Sequence, residues 1–216
     1  MVNSEQCIYK FQIYIGDTDA YNMTYHVNYI KYFERARYEA MLERKLITPD
    51  ELVVSLEITK QNFLKVAKLG DFVMIETELS YFSDDNYCDY LVADQKFLVK
   101  GVLMNEMKSV ARVLARDLFP VSIDTNLLNT CDGEIKSLST SERQEIHPAS
   151  YTCFELPLYQ DLFNYHSTLS IPLIVDLFER SRNNCFGGPD KLEDLKKAQV
   201  HVIEVSIQKL YYYHDS

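Results

Sequence analysis

Between residues 16 and 29 the chain reads GDTDAYNMTYHVNY, which sets two carboxylates, Asp17 and Asp19, shortly ahead of His26. A carboxylate in such a place can take a proton as a general base or attack an electrophilic carbon as a nucleophile. Asp is also favoured in turns and caps, and on residue type alone that is the preferred reading of the pair. The segment after the carboxylates matters as much. Tyr29, Tyr32, Phe33, Ala36 and Ala40 fall on one face of a helix over roughly 27–44. A helix start leaves backbone N–H groups without intrahelical acceptors and carries a partial positive charge. Negative charge developing on a carbonyl oxygen is stabilised there.

Strands must hold this loop and helix in place. Residues 7–15 (CIYKFQIYI) alternate with aromatic and β-branched side chains and predict a strand. Thr48-Pro49 followed by DELVVSL predicts a short helix with Pro at its first position. Residues 57–66 are a weaker strand candidate. In 72–82 (FVMIETELSYF), Val73, Ile75, Thr77, Leu79 and Tyr81 share one face. A turn at 83–86 comes next, then two long strands at 87–100 and 107–118 joined by GVLMNE. One long helix with a run of antiparallel strands is an α+β architecture. Residues 122–150 are polar, rich in Ser and Thr, without periodicity, and predict a linker.

Pattern resumes at Tyr151, and it repeats the first. Phe33-Glu34-Arg35-Ala36-Arg37 returns as Phe178-Glu179-Arg180-Ser181-Arg182, an offset of 145 (178 less 33). In that frame Tyr14 falls on Tyr159, and the helix face returns as Ile174, Leu177, Phe178, Ser181 and Cys185. A helix stop at Gly187-Gly188-Pro189, a short LEDL helical piece and a strand over 199–213 come after it. The expected organisation is a first unit at 1–121, a linker at 122–150 and a partial second unit at 151–216. The strands that should complete the second copy are expected to be missing by truncation.

The string from Asp17 to Tyr29, continued by YFERAR, resembles the hotdog-fold acyl-CoA thioesterases of the 4-hydroxybenzoyl-CoA thioesterase type. Their pattern, D-T-D-A-x-G-x-x-Y-H-x-x-Y and then an aromatic with E-R-A-R, is met without gaps at Asp17, Thr18, Asp19, Ala20, Tyr25, His26, Tyr29 and Phe33 to Arg37. The resemblance implies a hotdog fold, a long helix wrapped by an antiparallel sheet, here as a tandem repeat with an incomplete second copy. It implies hydrolysis of an acyl-CoA or acyl-carrier-protein thioester with no metal and no cofactor. Asp19 would be the nucleophile or general base, and the backbone amide near His26 would polarise the thioester carbonyl. Asn22, Tyr25 and Tyr29 would contact substrate, with Asn164 from the second copy. Two such units, from two chains or as an intramolecular pseudo-dimer, would form the site.

Departures from the pattern bear on this. Asn22 stands where the family has Gly; Asn tolerates left-handed backbone better than most residues. In the second copy Asp19, Asp17 and His26 become Asn164, Leu162 and Ile171. An amide is neither base nor nucleophile, so that copy is expected to be structural or substrate-shaping rather than an independent active site. A fold kept for acyl-thioester binding without catalysis is the alternative reading, and a hydratase is a third. Glu34 could position water, although an ion pair with Arg37 is the preferred role.

Net charge and composition exclude other classes. The chain has 216 residues and a net charge of −10, unsuited to a nucleic-acid backbone. A coenzyme A tail would need local cations against that field, and Arg35, Arg37, Lys60, Lys65 and Lys68 are available. No apolar run is long enough to span a membrane, and the start lacks a signal-peptide pattern. Five scattered cysteines without a CxxC pair suit free thiols in a reducing compartment, with the cytoplasm as the expected location.

Overall fold

Strand β1 (Cys7–Gln12) leads through a single 3-10 turn (Ile15–Asp17) and the Asp19 loop into one long helix, α1 (His26–Glu43). Four long strands come next: β2 (Leu52–Phe63), β3 (Phe72–Ser83), β4 (Asp89–Val99) and β5 (Val102–Leu114). A two-residue strand β6 (Asn129–Thr130), a second helix α2 (Ile171–Cys185) and short strands β7 (Ser206–Ile207) and β8 (Leu210–Tyr211) complete the order. These elements come from a computed structural model. It describes residues 6–19, 22–83, 89–116, 119–131 and 170–185, and single positions 191, 194, 197, 206, 207, 210 and 211.

The sheet runs β1-β3-β4-β5-β2-β7, with antiparallel neighbours throughout; β6 adds to β3 in parallel, and β8 adds to β2. One face of α1, including Tyr29, Ile30, Phe33, Ala36, Ala40 and Met41, is buried. Phe97 on β4 is 0% exposed and sits at the centre of an aromatic cluster, with Phe11, Tyr29, Tyr32 and Phe33 around it at 5.0–6.2 Å between ring centroids. Toward the helix C-terminus the core passes to aliphatic residues, among them Ala40, Met41, Leu46, Leu79, Leu91 and Val113. The helix ends on the backbone itself: Lys45, at φ 57, donates to the Leu42 carbonyl, and Leu46 donates to Met41. That closure satisfies the last carbonyls of α1.

The expected helix at 27–44 and the strands at 7–15 and 72–82 correspond to α1, β1 and β3. On β3, Val73, Ile75, Thr77 and Leu79 are buried in alternation. Two expectations are corrected. The short helix after Pro49 is a single turn, in which Glu51 accepts the Thr48 N–H at 2.6 Å and donates its own N–H to the Thr48 carbonyl at 3.1 Å. From Leu52 the chain enters β2, because pairing of Leu52, Val53 and Val54 with β5 outweighs the local cap signal. The connection GVLMNE is also mostly strand. The hairpin turns at Lys100 (φ 50) and Gly101 (φ 77), the pair of left-handed residues that a two-residue type I′ turn requires.

By internal contacts, residues Met1–Gly133 and Glu204–Ser216 form one unit and Glu134–Ile203 another. In the first, the described residues of the expected linker carry a 3-10 turn (Thr125–Leu127) and β6, with Ile123 and Leu128 buried. β7 and β8 pair antiparallel with β2, at Gln61↔Ile207 and Ile58↔Leu210, within the range read as a strand. In the second unit, α2 starts at Ile171, the position that the offset of 145 assigns to the His26 helix start. Its buried row is Ile171, Val175 and Glu179, and Phe178 is 59% exposed. The expected face through Ile174, Leu177 and Phe178 is therefore not the buried one. Tyr159, Asn164 and the glycine stop at 187–189 lie outside the described residues.

Candidate active site

Asp19 sits in a loop closed on itself. Its N–H donates to the Met23 carbonyl at 2.8 Å, its carbonyl accepts the Asn22 N–H at 3.0 Å, and its Oδ1 accepts the Met23 N–H at 3.0 Å. Thr18 and Thr24 bridge across the base of the loop. Asn22 is exposed and takes φ 58, the left-handed turn that its Asn side chain tolerates. One oxygen of the Asp19 carboxylate is thereby fixed by a backbone donor, and the residue is half-buried.

Asp17 has a different part. Its carboxylate accepts the Tyr14 N–H at 2.9 Å, and its carbonyl accepts the Tyr25 N–H at 3.1 Å and the Asn28 side-chain amide at 3.0 Å. This is the turn-and-cap role expected from residue type, and it ties the loop to the first turn of α1. Burial pushes the Tyr32 phenol pKa up, and the Asp17 carboxylate beside it adds to the shift.

Tyr25 is the residue before α1 and His26 the first within it. No acidic side chain occupies the first turn, so the positive end of the helix is not neutralised by its own residues. The His26 ring packs edge-on against Phe63 at 4.9 Å, and the residue is the first of α1. Tyr29 differs from its expected substrate role in placement. It is 1% exposed, its hydroxyl accepts the Ala67 N–H at 2.9 Å, and burial raises its pKa. It belongs to the core beneath the site. Asn164 lies outside the described residues.

A stretch that the sequence read in part as the end of a strand borders the loop. Residues 64–71 link β2 to β3, and they are laced to the Asp19 loop. Thr24 donates to the Ala67 carbonyl at 2.8 Å, Leu69 donates to the Asn22 carbonyl at 3.1 Å, and Met23 bridges Lys68.

About two turns along α1, Glu34 accepts the Ser55 hydroxyl at 2.6 Å, and Ser55 accepts the Arg37 guanidinium at 2.6 Å. Arg37 also donates to Ser109 at 3.0 Å and is 1% exposed; burial lowers its pKa while Glu34 opposes the shift. The preferred Glu34–Arg37 pairing thus runs through a strand hydroxyl that the sequence did not indicate.

Comparison with known proteins bears on the same region. Residues 21–84 match the sequence model of the Thioesterase superfamily, a match that begins just after Asp19. The chain is 32% identical over 77 residues to a protein of Haemophilus influenzae named acyl-CoA thioesterase YbgC, covering 33% of this chain and 57% of that protein. It is 35% identical over 71 residues to the Helicobacter pylori protein of the same name, covering 32% and 53%. The chain thus spans little more than half the length of these curated relatives. Among solved structures, a putative oleoyl thioesterase of Lactobacillus plantarum superposes with a TM-score of 0.57 at 10% identity, over 81% of this chain and 70% of that one. The long helix on an antiparallel sheet fits a hotdog fold, and the segment from the Asp19 loop into β3 is similar to the Thioesterase superfamily.

Proposed function

We propose that the chain hydrolyses an acyl thioester, with Asp19 as nucleophile or general base. The observation that carries this reading is the Asp19 carboxylate, anchored through Oδ1 to the Met23 amide in the loop that runs into the start of α1. The thioester carbonyl would lie at the helix start, where the backbone N–H groups near His26 draw electrons from it. Asp19 then either attacks the carbonyl carbon, so that loss of the thiolate leaves a mixed anhydride that water hydrolyses to the acid and the free carboxylate, or takes a proton from a water that attacks the carbon in its place. The C–S bond breaks, the thiolate leaves and is protonated from solvent, and the acid is released. Each well-aimed amide donor contributes about 10²–10³ in rate. The named relatives support coenzyme A as the carrier; a carrier-protein thioester is the alternative cargo.

The anchoring bond also supports a second reading, because a carboxylate bonded to its own loop is what a turn residue makes. In that reading the fold binds an acyl thioester without cleaving it. Thiol release measured across acyl-CoA chain lengths, with Asp19→Asn beside the unaltered protein, separates the two. Hydrolysis predicts release that the variant loses; tight binding with no release from either protein favours the second.

We further propose that residues 151–216 are a second, shorter copy of the fold. The start of α2 at the repeat offset and the pairing of β7 and β8 with β2 support it. In that reading α2 keeps the helix of the first copy and buries a different row, Ile171, Val175 and Glu179.

A further inference from the structure

Of the five cations available for an anionic tail, Lys68 is bridged to the Asp19 loop and Lys65 lies three residues before it on the same connection. Arg37 is buried and holds Ser55 and Ser109. Lys60 is paired with Glu106 at 2.9 Å. Arg35 lies on α1 close enough to the Tyr32 phenol to favour its ionised form. Lys65 and Lys68 lie on the 64–71 connection, both exposed, and among the described residues neither ammonium takes part in an ion pair.

Their placement is set by backbone. Lys68 bridges Met23, and Met23 donates its N–H to Asp19 Oδ1. Bridged antiparallel residues lie about 5 Å apart at Cα, so Lys68 stands one residue-width from the group that holds the carboxylate. The Asp71 carboxylate, the acidic group nearest in sequence, is turned onto the Lys68 backbone N–H at 2.8 Å. Beside the lysines, Leu64 and Leu69 are 53% and 42% exposed, an apolar surface next to two cations. A ligand with a phosphorylated head and a long, weakly polar arm matches that pairing.

We propose that Lys65 and Lys68 bind the phosphates of coenzyme A, with its arm running over Leu64 and Leu69 toward Asp19. The proposal rests on the thioesterase reading and names the carrier that reading leaves open. In a chain of net charge −10, a local cationic pair is what lets a polyanionic ligand approach this edge rather than another.

The test is the affinity of the whole chain for free coenzyme A, by calorimetry, in the unaltered protein, in K65A/K68A and in Lys60→Ala. Both lysines are exposed and their backbone bonds do not depend on the side chain, so the double variant keeps the loop. We expect K65A/K68A to weaken coenzyme A binding about tenfold, and added salt to weaken the unaltered protein toward the variant. Lys60→Ala, whose ammonium is already paired, should bind as the unaltered protein does. Hydrolysis is read in parallel on one acyl group carried by coenzyme A, by N-acetylcysteamine and by a carrier protein. The double variant should raise KM for the coenzyme A thioester alone and leave kcat unchanged. Equal affinities in the unaltered protein and K65A/K68A, no coenzyme A binding at all, or a loss confined to the carrier-protein thioester would each overturn the proposal. Coenzyme A bound through the lysines with none of the three thioesters cleaved would sink the hydrolase reading and leave this one standing.

Discussion

Asn22 shows how one residue sets the turn of the Asp19 loop. Its φ of 58 costs an ordinary L-residue roughly 1–2 kcal/mol, less for Asn and nothing for Gly. Asn22→Ala should therefore be less stable than Asn22→Gly by about 1 kcal/mol in chemical denaturation, with Asn22→Gly at least as stable as the unaltered protein. Equal stability of the Ala and Gly variants would mean that the left-handed turn is absent. Arg37 belongs to the same scale. Its guanidinium is buried with Ser55 and Ser109 as partners and Glu34 one bond further on. Arg37→Met leaves Glu34 without the charge that balances it, and we expect a loss of about 3 kcal/mol. Glu34→Gln, at a half-buried position, should lose less. At this scale the residue pattern showed Asp19, the left-handed Asn and the Glu34–Arg37 association. It did not show that Tyr29 turns its hydroxyl inward, because an aromatic at helical spacing reads the same whether its end meets substrate or a backbone N–H.

Among the elements, those with a complete local signal were legible: the periodic face of α1 and the clean alternation of β3. The misreadings came where two signals compete. Thr48, Pro49 and Glu51 do form a capped turn, but Leu52 to Val54 are claimed by β5, a partner distant in sequence. The β4–β5 turn was hidden because Lys100 is an unusual residue for a left-handed position and its neighbour Gly101 supplies the only local mark. Gly101→Val should destabilise the hairpin by more than about 1 kcal/mol, read as a lower denaturation midpoint, while Lys100→Asn should be neutral or stabilising because Asn-Gly is the favoured I′ pair. If Gly101→Val were silent, the two-residue turn would be wrong. The 64–71 connection was marked only by the end of the strand candidate at 57–66, which in the structure stops at Phe63, and by the cations Lys65 and Lys68. Its role comes from hydrogen bonds to residues 22–24, and such cross-chain pairing leaves no periodic trace in either segment.

Over the whole molecule, the second copy proposed from FER-x-R would start its helix where α2 starts, at Ile171, while the buried row of α2, Ile171, Val175 and Glu179, is not the face the repeat predicts. In the repeat frame Asp19 falls on Asn164, so under that proposal chemistry is expected from the first copy alone. In a chain of net charge −10, a local cationic pair such as Lys65 and Lys68 is where an anionic substrate would gain. The proposed chemistry rests on one carboxylate ahead of α1, Asp19. The most direct measurement is kcat/KM for acyl-CoA hydrolysis by Asp19→Asn against the unaltered chain, at matched thermal stability. An isosteric amide keeps an oxygen for the Met23 N–H, so the loop should hold while the rate falls by about 10²–10⁴. Hydrolysis at an undiminished rate in the folded variant would contradict the account.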